Sequence, residues 1–142
     1  MISAIVAVDN NWAIGADNNL VVRNPMDLLW FKGFTYGKTL LCGYNTYQSL
    51  PELKGRNVVL DDRYEESIQL IRHNNLVVIG GAKTYQKYAY LVGELFITIN
   101  ETEVEMVDCY FPHRHYEHLS THELIHKGEW QGMKYRIEKW TA

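Results

Sequence analysis

The amino-acid sequence predicts a single α/β domain over residues 1–142, with a central mixed, mostly parallel sheet flanked by helices and with antiparallel C-terminal strands. Short apolar runs closed by glycine or aspartate have the character of strands that are buried on both faces. Segments of helical character separate these runs, and strands that alternate with helices form a parallel sheet covered on both sides. A chain of 142 residues also has room for one core and little more.

The first two thirds of the chain supply the predicted parallel strands and their helices. The strands are 2–8, 39–42, 57–60 and 76–79. The helices are 25–35, 44–50 and 82–90, of which the second and third follow glycines that end strands. Asn24 can cap the first helix, and Pro25 suits its first position. Gly33 and Gly37 are expected to mark its end.

The last third of the chain has a different pattern. Segments 95–100, 119–126 and 133–140 alternate apolar and polar residues more strictly, which is typical of antiparallel strands with one face in water. Five histidines fall in or near this region: His113, His115, His118, His122 and His126. Because no cysteine or clear acidic ligand set joins them, we expect a solvated strand face rather than a metal site.

Composition limits the classes of function. The chain has 14 Lys+Arg and 17 Asp+Glu, a net charge of −3, whereas a dedicated nucleic-acid binder needs a basic field. The apolar run 1–8 is far shorter than the roughly 20 residues that cross a bilayer. Cys42 and Cys109 lie far apart and indicate no disulfide framework. We expect a cytoplasmic monomer that binds neither nucleic acid nor membranes.

Asp27 is the first candidate functional residue. It lies at the start of the first predicted helix and precedes four apolar residues, 28–31. One interpretation is an acid that complements the helix dipole. The other is a carboxyl group in an apolar pocket, able to pair with a cationic or amidine-like ligand edge and to steer a proton.

Two junctions of strand, glycine and helix, at 42–46 and 79–84, form the second candidate. Glycine lets backbone approach a ligand closely, and the N–H groups of the following helix can bind phosphate. Strands often end in glycine without binding anything, but two such junctions in one small domain can hold the two phosphates of a dinucleotide. The sequence at these junctions is not the six-residue glycine fingerprint of Rossmann folds.

The segment 9–23 is the third candidate. It is polar, contains Gly15 and is long for a connection in so small a domain. Long ordered loops often act as lids over a site, although an ordinary crossover connection would look the same in sequence.

Eight segments, in order along the chain, carry a specific likeness: 1–8, 14–15, 24–32, 43–46, 55–60, 78–82, 95–98 and 111–112. Together they resemble the dihydrofolate reductase family over nearly the whole chain. The resemblance implies an enzyme that reduces 7,8-dihydrofolate to tetrahydrofolate. Hydride would come from a reduced nicotinamide dinucleotide, and a proton would be added at the neighbouring imine nitrogen.

The same resemblance implies roles for individual residues. Asp27 would bind the amino-pyrimidine edge of the pterin and favour its protonation, and Thr98 would support Asp27 through a hydrogen bond. The implied substrate site consists of Ile5, Asp27, Leu28, Phe31, Leu50, Leu53, Arg56, Ile79 and Thr98, in which Arg56 takes the glutamate carboxylate. The implied cofactor site consists of Ala7, Ile14, Gly15, Asn18, Leu20, Gly43, Tyr44, Asn45, Thr46, Leu60, Asp61, Asp62, Arg63, Gly80, Gly81, Ala82, Lys83, Thr84 and Tyr85.

The sequence departs from the family pattern where the adenosine phosphate of NADPH is expected. Tyr44 stands where a basic residue is usual. Asp61 and Asp62, followed by Arg63, stand where hydroxyl or basic residues are usual. The resemblance implies NADPH as the cofactor. The departures from the family pattern at these positions imply that NADH is usable as well.

Two alternatives stay open at this point. Val22 and Leu20 replace a usual tryptophan and a methionine-like residue in segment 9–23. A non-catalytic structural or ligand-binding protein that retains the fold would account for Val22 and for the two aspartates, Asp61 and Asp62. A pyrimidine reductase of the riboflavin-pathway type would also keep the fold. Asp27 together with Arg56 argues against it, because these residues supply both ends of a folate site.

Overall fold

The computed structural model describes residues 2–16, 19–20, 22–50, 54–61 and 76–142. Its main sheet contains seven strands: β1 (Ile2–Val8), β4 (Thr39–Cys42), β5 (Asn57–Leu60), β6 (Leu76–Gly80), β7 (Val92–Asn100), β9 (Thr121–Trp130) and β10 (Met133–Thr141). They are ordered β5-β4-β6-β1-β7-β10-β9. The five strands from β5 to β7 are parallel, and β10 and β9 add antiparallel pairs. The predicted mixed, mostly parallel sheet is confirmed.

Helices lie between the strands, and a second, smaller sheet lies beside them. The helices are α1 (Pro25–Thr35), α2 (Tyr44–Ser49) and α3 (Ala82–Tyr88), with short 3₁₀ turns at Ala89–Leu91 and His113–Tyr116. The small sheet contains β2 (Ala13–Ala16), β3 (Asn19–Leu20) and β8 (Cys109–Tyr110), in the order β3-β2-β8. Segment 9–23, predicted as a lid-like loop, thus contains two short strands.

Alternate residues of the central strands enter two apolar layers on opposite faces of the sheet. In β1, Val6 and Val8 belong to one layer and Ile5 to the other. Helix α3 packs into the first layer through Tyr85 and Tyr88. Helix α1 packs against the second layer through Trp30, Phe31 and Phe34. Helices therefore cover both faces, as the alternation of strands and helices predicts.

The predicted strand at 95–100 is present and pairs antiparallel with β10, but the prediction that one of its faces lies in water is wrong. Strand β7 runs parallel to β1, antiparallel to β10, and is buried from Leu95 to Asn100. The polar residues that produced the alternation, Thr98 and Asn100, are each 1% exposed and hydrogen-bonded. The alternation here marks buried polar side chains rather than contact with water.

Helix α1 begins where the sequence predicts. The Asn24 side chain accepts hydrogen bonds from the backbone N–H groups of Met26 (3.1 Å) and Asp27 (3.4 Å), so two N–H groups of the first turn have a partner. The helix also ends at Thr35, as predicted, but Gly33 lies inside it and does not mark its end. Gly37, two residues after the helix, has φ +76° and forms the turn into β4.

Among the described residues, no helix combines the length and apolarity needed to cross a membrane.

The two glycines at the end of α1 provide a matched test of this assignment. A Cβ atom at Gly33 would meet no heavy atom within 4 Å, so Gly33→Ala should raise the free energy of unfolding by about 0.5–1 kcal/mol. Gly37→Ala should lower it by about 1 kcal/mol, because alanine disfavours a positive φ. Urea denaturation of both variants measures the difference; two changes of the same sign would contradict the placement of the helix end.

Candidate active site

The carboxyl ends of β4 and β6 meet at one edge of the sheet and bring the two glycine junctions together. The Gly43 N–H donates to the Gly80 carbonyl at 2.8 Å, and a cis peptide joins Gly80 to Gly81. A Cβ atom at Gly43 would lie 3.2 Å from Thr84 Oγ1, and one at Gly80 would lie 3.3 Å from Thr46 Oγ1. Side chains at these two positions would therefore crowd the space between the starts of α2 and α3.

A cleft of about 440 Å³ opens between these junctions. It is lined by most of the residues predicted for the cofactor: Ala7, Ile14, Gly15, Gly43, Tyr44, Asn45, Thr46, Asp61, Gly80, Gly81, Ala82, Lys83, Thr84 and Tyr85. Ile79, predicted for the substrate, also lines it. Leu60 instead packs into the apolar layer beneath α1.

Sequence reasoning missed four residues of this cleft: Val6, Ser49, Asp108 and Cys109. Ser49 lies one helical turn after Asn45, which a helical projection of α2 could have indicated. Asp108 and Cys109 reach the cleft because β8 pairs with β2, where the Asp108 N–H donates to the Gly15 carbonyl at 3.2 Å. A two-residue strand gives no periodic signal, so that contact could not be predicted.

Asp61 has close partners on α3. Its carboxylate accepts hydrogen bonds from Lys87 Nζ (2.9 Å), the Tyr88 hydroxyl (2.7 Å) and Thr84 Oγ1 (3.3 Å). The ammonium group of Lys87 offsets the negative charge that the sequence placed beside the cleft. Burial, with a smaller contribution from Asp61, raises the pKa of the nearby Cys42 thiol to about 11.

Asp27 and Thr98 form the second part of the site. Thr98 Oγ1 donates to Asp27 Oδ1 at 2.5 Å, which joins the first turn of α1 to β7. Burial raises the pKa of the Asp27 carboxyl from 3.8 to about 6, although the Thr98 hydrogen bond acts in the opposite direction. A group with this pKa exchanges protons near neutral pH.

An apolar surface adjoins this carboxyl. Ile5, Ile79, Phe31 and Leu50, all predicted for the substrate, belong to the same apolar layer of the sheet. Leu28, on the next position of α1, is 43% exposed and so has an open face. The described substrate residues thus provide one half-buried carboxyl beside an apolar layer.

Tyr85 connects the two parts of the site. It lines the cleft, and its buried hydroxyl donates to the Ile5 carbonyl at 2.7 Å. Burial raises the pKa of this phenol well above its ordinary value, and nearby Tyr116 and Asp27 add to the rise. The phenol therefore stays neutral and holds the backbone of β1 between the cleft and the apolar layer.

Arg56 is held at the end of α1. Its Nε donates to Thr35 Oγ1 at 3.1 Å and its Nη1 to the Lys54 carbonyl at 2.6 Å, while its Nη2 donates to the Lys32 carbonyl. Arginine has five N–H donors, so these three contacts leave two, one on each terminal nitrogen. The guanidinium is fixed in place and keeps one donor on each prong of its fork.

Several predicted residues are not placed. Asn18, Leu53, Asp62 and Arg63 lie outside the described residues, and the side chain of Leu20 is not described either.

The histidines of the C-terminal strands contact β10. His122 stacks on Trp140 with ring centroids 3.9 Å apart, and His126 Nε2 lies 3.3 Å from the Tyr135 hydroxyl. The predicted solvated face is therefore also a packing face for these two residues. In the part of the chain that the structure describes, no group of three or more His, Cys, Asp or Glu residues is arranged to hold a metal ion.

The sequence also matches known proteins over most of its length. A family model described as dihydrofolate reductase matches residues 1–141. The dihydrofolate reductase of Haemophilus influenzae is 31% identical over 130 residues, which cover 81% of this chain and 81% of that protein. Those of Buchnera aphidicola subsp. Baizongia pistaciae and Bacillus subtilis are 31% and 30% identical, covering 83% and 79% of this chain and 80% and 76% of the respective relatives. With the half-buried carboxyl of Asp27 and the glycine-bordered cleft, these matches show that the chain belongs to the dihydrofolate reductase family.

Proposed function

We propose that the glycine-bordered cleft binds a reduced nicotinamide dinucleotide and that the pocket beside Asp27 binds 7,8-dihydrofolate. Membership of the family makes the reaction the reduction of dihydrofolate to tetrahydrofolate. The observation that carries the proposal is the Asp27 carboxyl, which is half-buried, bonded to Thr98 and adjacent to the apolar layer. When bound, the reduced nicotinamide supplies the hydride.

Asp27 is the group that handles the proton in this proposal. Its carboxyl can accept hydrogen bonds from the amino-pyrimidine edge of a pterin, and its pKa of about 6 favours protonation of the ring near neutral pH. Thr98 fixes one carboxyl oxygen, so the other is directed to the ligand. Ile5, Phe31 and Ile79 support the flat ring and exclude water from it.

The cleft has the features that a dinucleotide needs. Gly43 and Gly80 leave space that a Cβ would fill, and the first N–H groups of α2 and α3 start at that space. Thr46 and Thr84 bring hydroxyl groups to the same place. We propose that these residues hold the pyrophosphate and that Ala7, Ile14 and Gly15 border the nicotinamide.

Arg56 is proposed to bind the carboxylate of the substrate's glutamate tail. The two N–H donors left on its terminal nitrogens match the two oxygens of a carboxylate. The contacts to α1 hold the guanidinium in place before the substrate binds, which lowers the entropy lost on binding.

The relatives from Haemophilus influenzae, Buchnera aphidicola and Bacillus subtilis are dihydrofolate reductases, and they favour neither a non-catalytic protein nor a pyrimidine reductase. The monomeric state and the cytoplasmic location stay predictions.

Asp27→Asn tests the proton-handling role. The variant should fold but lose roughly two to four orders of magnitude in kcat/KM near neutral pH, the usual scale for a positioned acid or base. Because burial raises the pKa of Asp27 to about 6, its protonated fraction persists to that pH and falls above it, so wild-type kcat/KM should decline as the pH rises beyond about 6. The deficit of the variant should shrink in acid, where the substrate protonates unaided. Cofactor oxidation measured across pH 5–9, in about unit steps, checks both statements, and full activity of Asp27→Asn at neutral pH would contradict the role.

Arg56→Ala should raise KM for dihydrofolate by a factor equivalent to about 1.5–3 kcal/mol of binding. A pterin that lacks the glutamate tail should be reduced equally well by both proteins. Thr35→Val is the matched control, since it removes one partner of Arg56 but leaves the guanidinium. If Arg56→Ala instead raised KM equally for dihydrofolate and for the pterin without the glutamate tail, the arginine would have a structural role.

Cofactor selectivity should be relaxed, with both NADPH and NADH bound and used. Lys83 is the one cation among the described residues that line the cleft. The Asp61–Lys87 pair brings no net positive charge, and Tyr44 adds none, so a 2′-phosphate beside these residues gains little attraction. Asp61→Ser should remove one carboxylate from the cleft and strengthen NADPH binding several-fold without changing NADH binding. Titration of protein fluorescence with each dinucleotide measures both affinities. A wild-type preference for NADPH beyond about a thousandfold, or roughly 4 kcal/mol, would contradict this expectation.

A further inference from the structure

Two buried asparagines connect α1 to the centre of the sheet. Asn24 and Asn100 are 6% and 1% exposed. Asn24 Nδ2 donates to Asn100 Oδ1 at 2.9 Å, and Asn100 Nδ2 donates to the Val8 carbonyl at 3.3 Å. At the other end, Asn24 Oδ1 accepts hydrogen bonds from the backbone N–H groups of Met26 and Asp27. We call this chain of hydrogen bonds, from Val8 through Asn100 and Asn24 to the start of α1, the amide relay.

The polarity of the relay explains why both positions are asparagine. One end is a backbone carbonyl that needs a donor, and the other end is a pair of N–H groups that need an acceptor. A carboxamide can donate at one side and accept at the other, whereas an ionised aspartate only accepts. The backbone at the two ends therefore fixes the orientation of both amides.

The relay lies directly beside the catalytic carboxyl. Asn100 and Thr98 are two residues apart on β7, so their side chains point to the same face. Asn24 and Asp27 belong to the cap and the first turn of α1. Two side-chain hydrogen bonds, Asn24 to Asn100 and Thr98 to Asp27, thus attach the start of α1 to one strand. Asp27 is held twice, at its backbone N–H by Asn24 and at its carboxyl by Thr98.

The relay also joins the two ends of segment 9–23. Val8 is the last residue of β1 before this segment, and Asn24 is the first residue after it. Both are bonded to the same side chain, that of Asn100. One residue of β7 therefore sets the distance between β1 and the start of α1.

We infer that Asn100, acting through Asn24, is a positioning residue for Asp27, and that the amide relay and the Thr98–Asp27 hydrogen bond act as one unit. The inference rests on the proposed function. Its reason is geometric: a displacement of about 1 Å at a reacting group can lower the rate as much as a hundredfold. Without the relay, the first turn of α1 shifts on β7 and the Thr98 hydroxyl loses its alignment with the carboxyl.

The test is a double-mutant cycle. Asn100→Leu removes the relay and keeps the Asn24 cap, and it should lower kcat/KM for dihydrofolate by about tenfold or more with the dissociation constant of the dinucleotide within twofold of wild type. Thr98→Val should lower kcat/KM about tenfold in the wild-type background but less than about threefold in Asn100→Leu, because the bond it removes is already misaligned. Asn24→Ser, which retains a capping oxygen but cannot reach Asn100, should behave like Asn100→Leu and serves if that variant does not fold.

Leu119→Ala is the matched control for lost stability. Leu119 is fully buried in the opposite apolar layer, away from Asp27, and its truncation should lower the Tm without touching the relay. In this background Thr98→Val should keep its full effect. Effects of Asn100→Leu and Thr98→Val that multiply, or a loss of activity in Asn100→Leu no greater than in Leu119→Ala at an equal loss of Tm, would overturn the inference. Failure of the wild-type protein to oxidise the dinucleotide in the presence of dihydrofolate would instead overturn the proposed function.

Discussion

The hydrogen bond from the Thr98 hydroxyl to the Asp27 carboxyl joins the start of α1 to β7 in the middle of the sheet. A carboxyl placed beside an apolar layer loses hydration, and burial of its charged form is unfavourable. The surrounding structure offsets that cost by fixing the two elements that carry the bond: β7 is paired with β1 and β10 along its length, and α1 is capped and packed. The proton chemistry proposed for this chain depends on how firmly these neighbours hold one oxygen atom.

The sequence could predict local features well and long-range polar contacts poorly. Helix α1 was predictable because Asn24 and Pro25 lie next to each other at its start, and the strands β1, β4 and β5 because each is a short apolar run between breaking residues. The character of β7 was not predictable, since Thr98 and Asn100 look like the wet side of a strand until their partners 71 and 76 residues away are known.

The charge of Asp61 illustrates the same limit at the cleft. From the sequence alone, the Asp61 carboxylate is expected to repel a phosphate. Its ammonium partner, Lys87, lies 26 residues later in the chain and reaches the carboxylate only because α3 follows β6 across the junction. The cleft could thus be located from its glycines, which act through local backbone geometry, while its electrostatics required the fold. Arg56 is similar, because it reaches Thr35 and Lys32 only when β5, which follows it, pairs with β4, the strand after α1.

The two cysteines differ in chemical reactivity. The thiolate is the form that reacts with alkylating reagents, and burial together with Asp61 keeps Cys42 protonated and out of reach of solvent. Cys109, by contrast, is partly exposed and lines the glycine-bordered cleft. A bulky maleimide would thus label one of the two cysteines, the one that lines the proposed cofactor site, and a dinucleotide already in place would shield it.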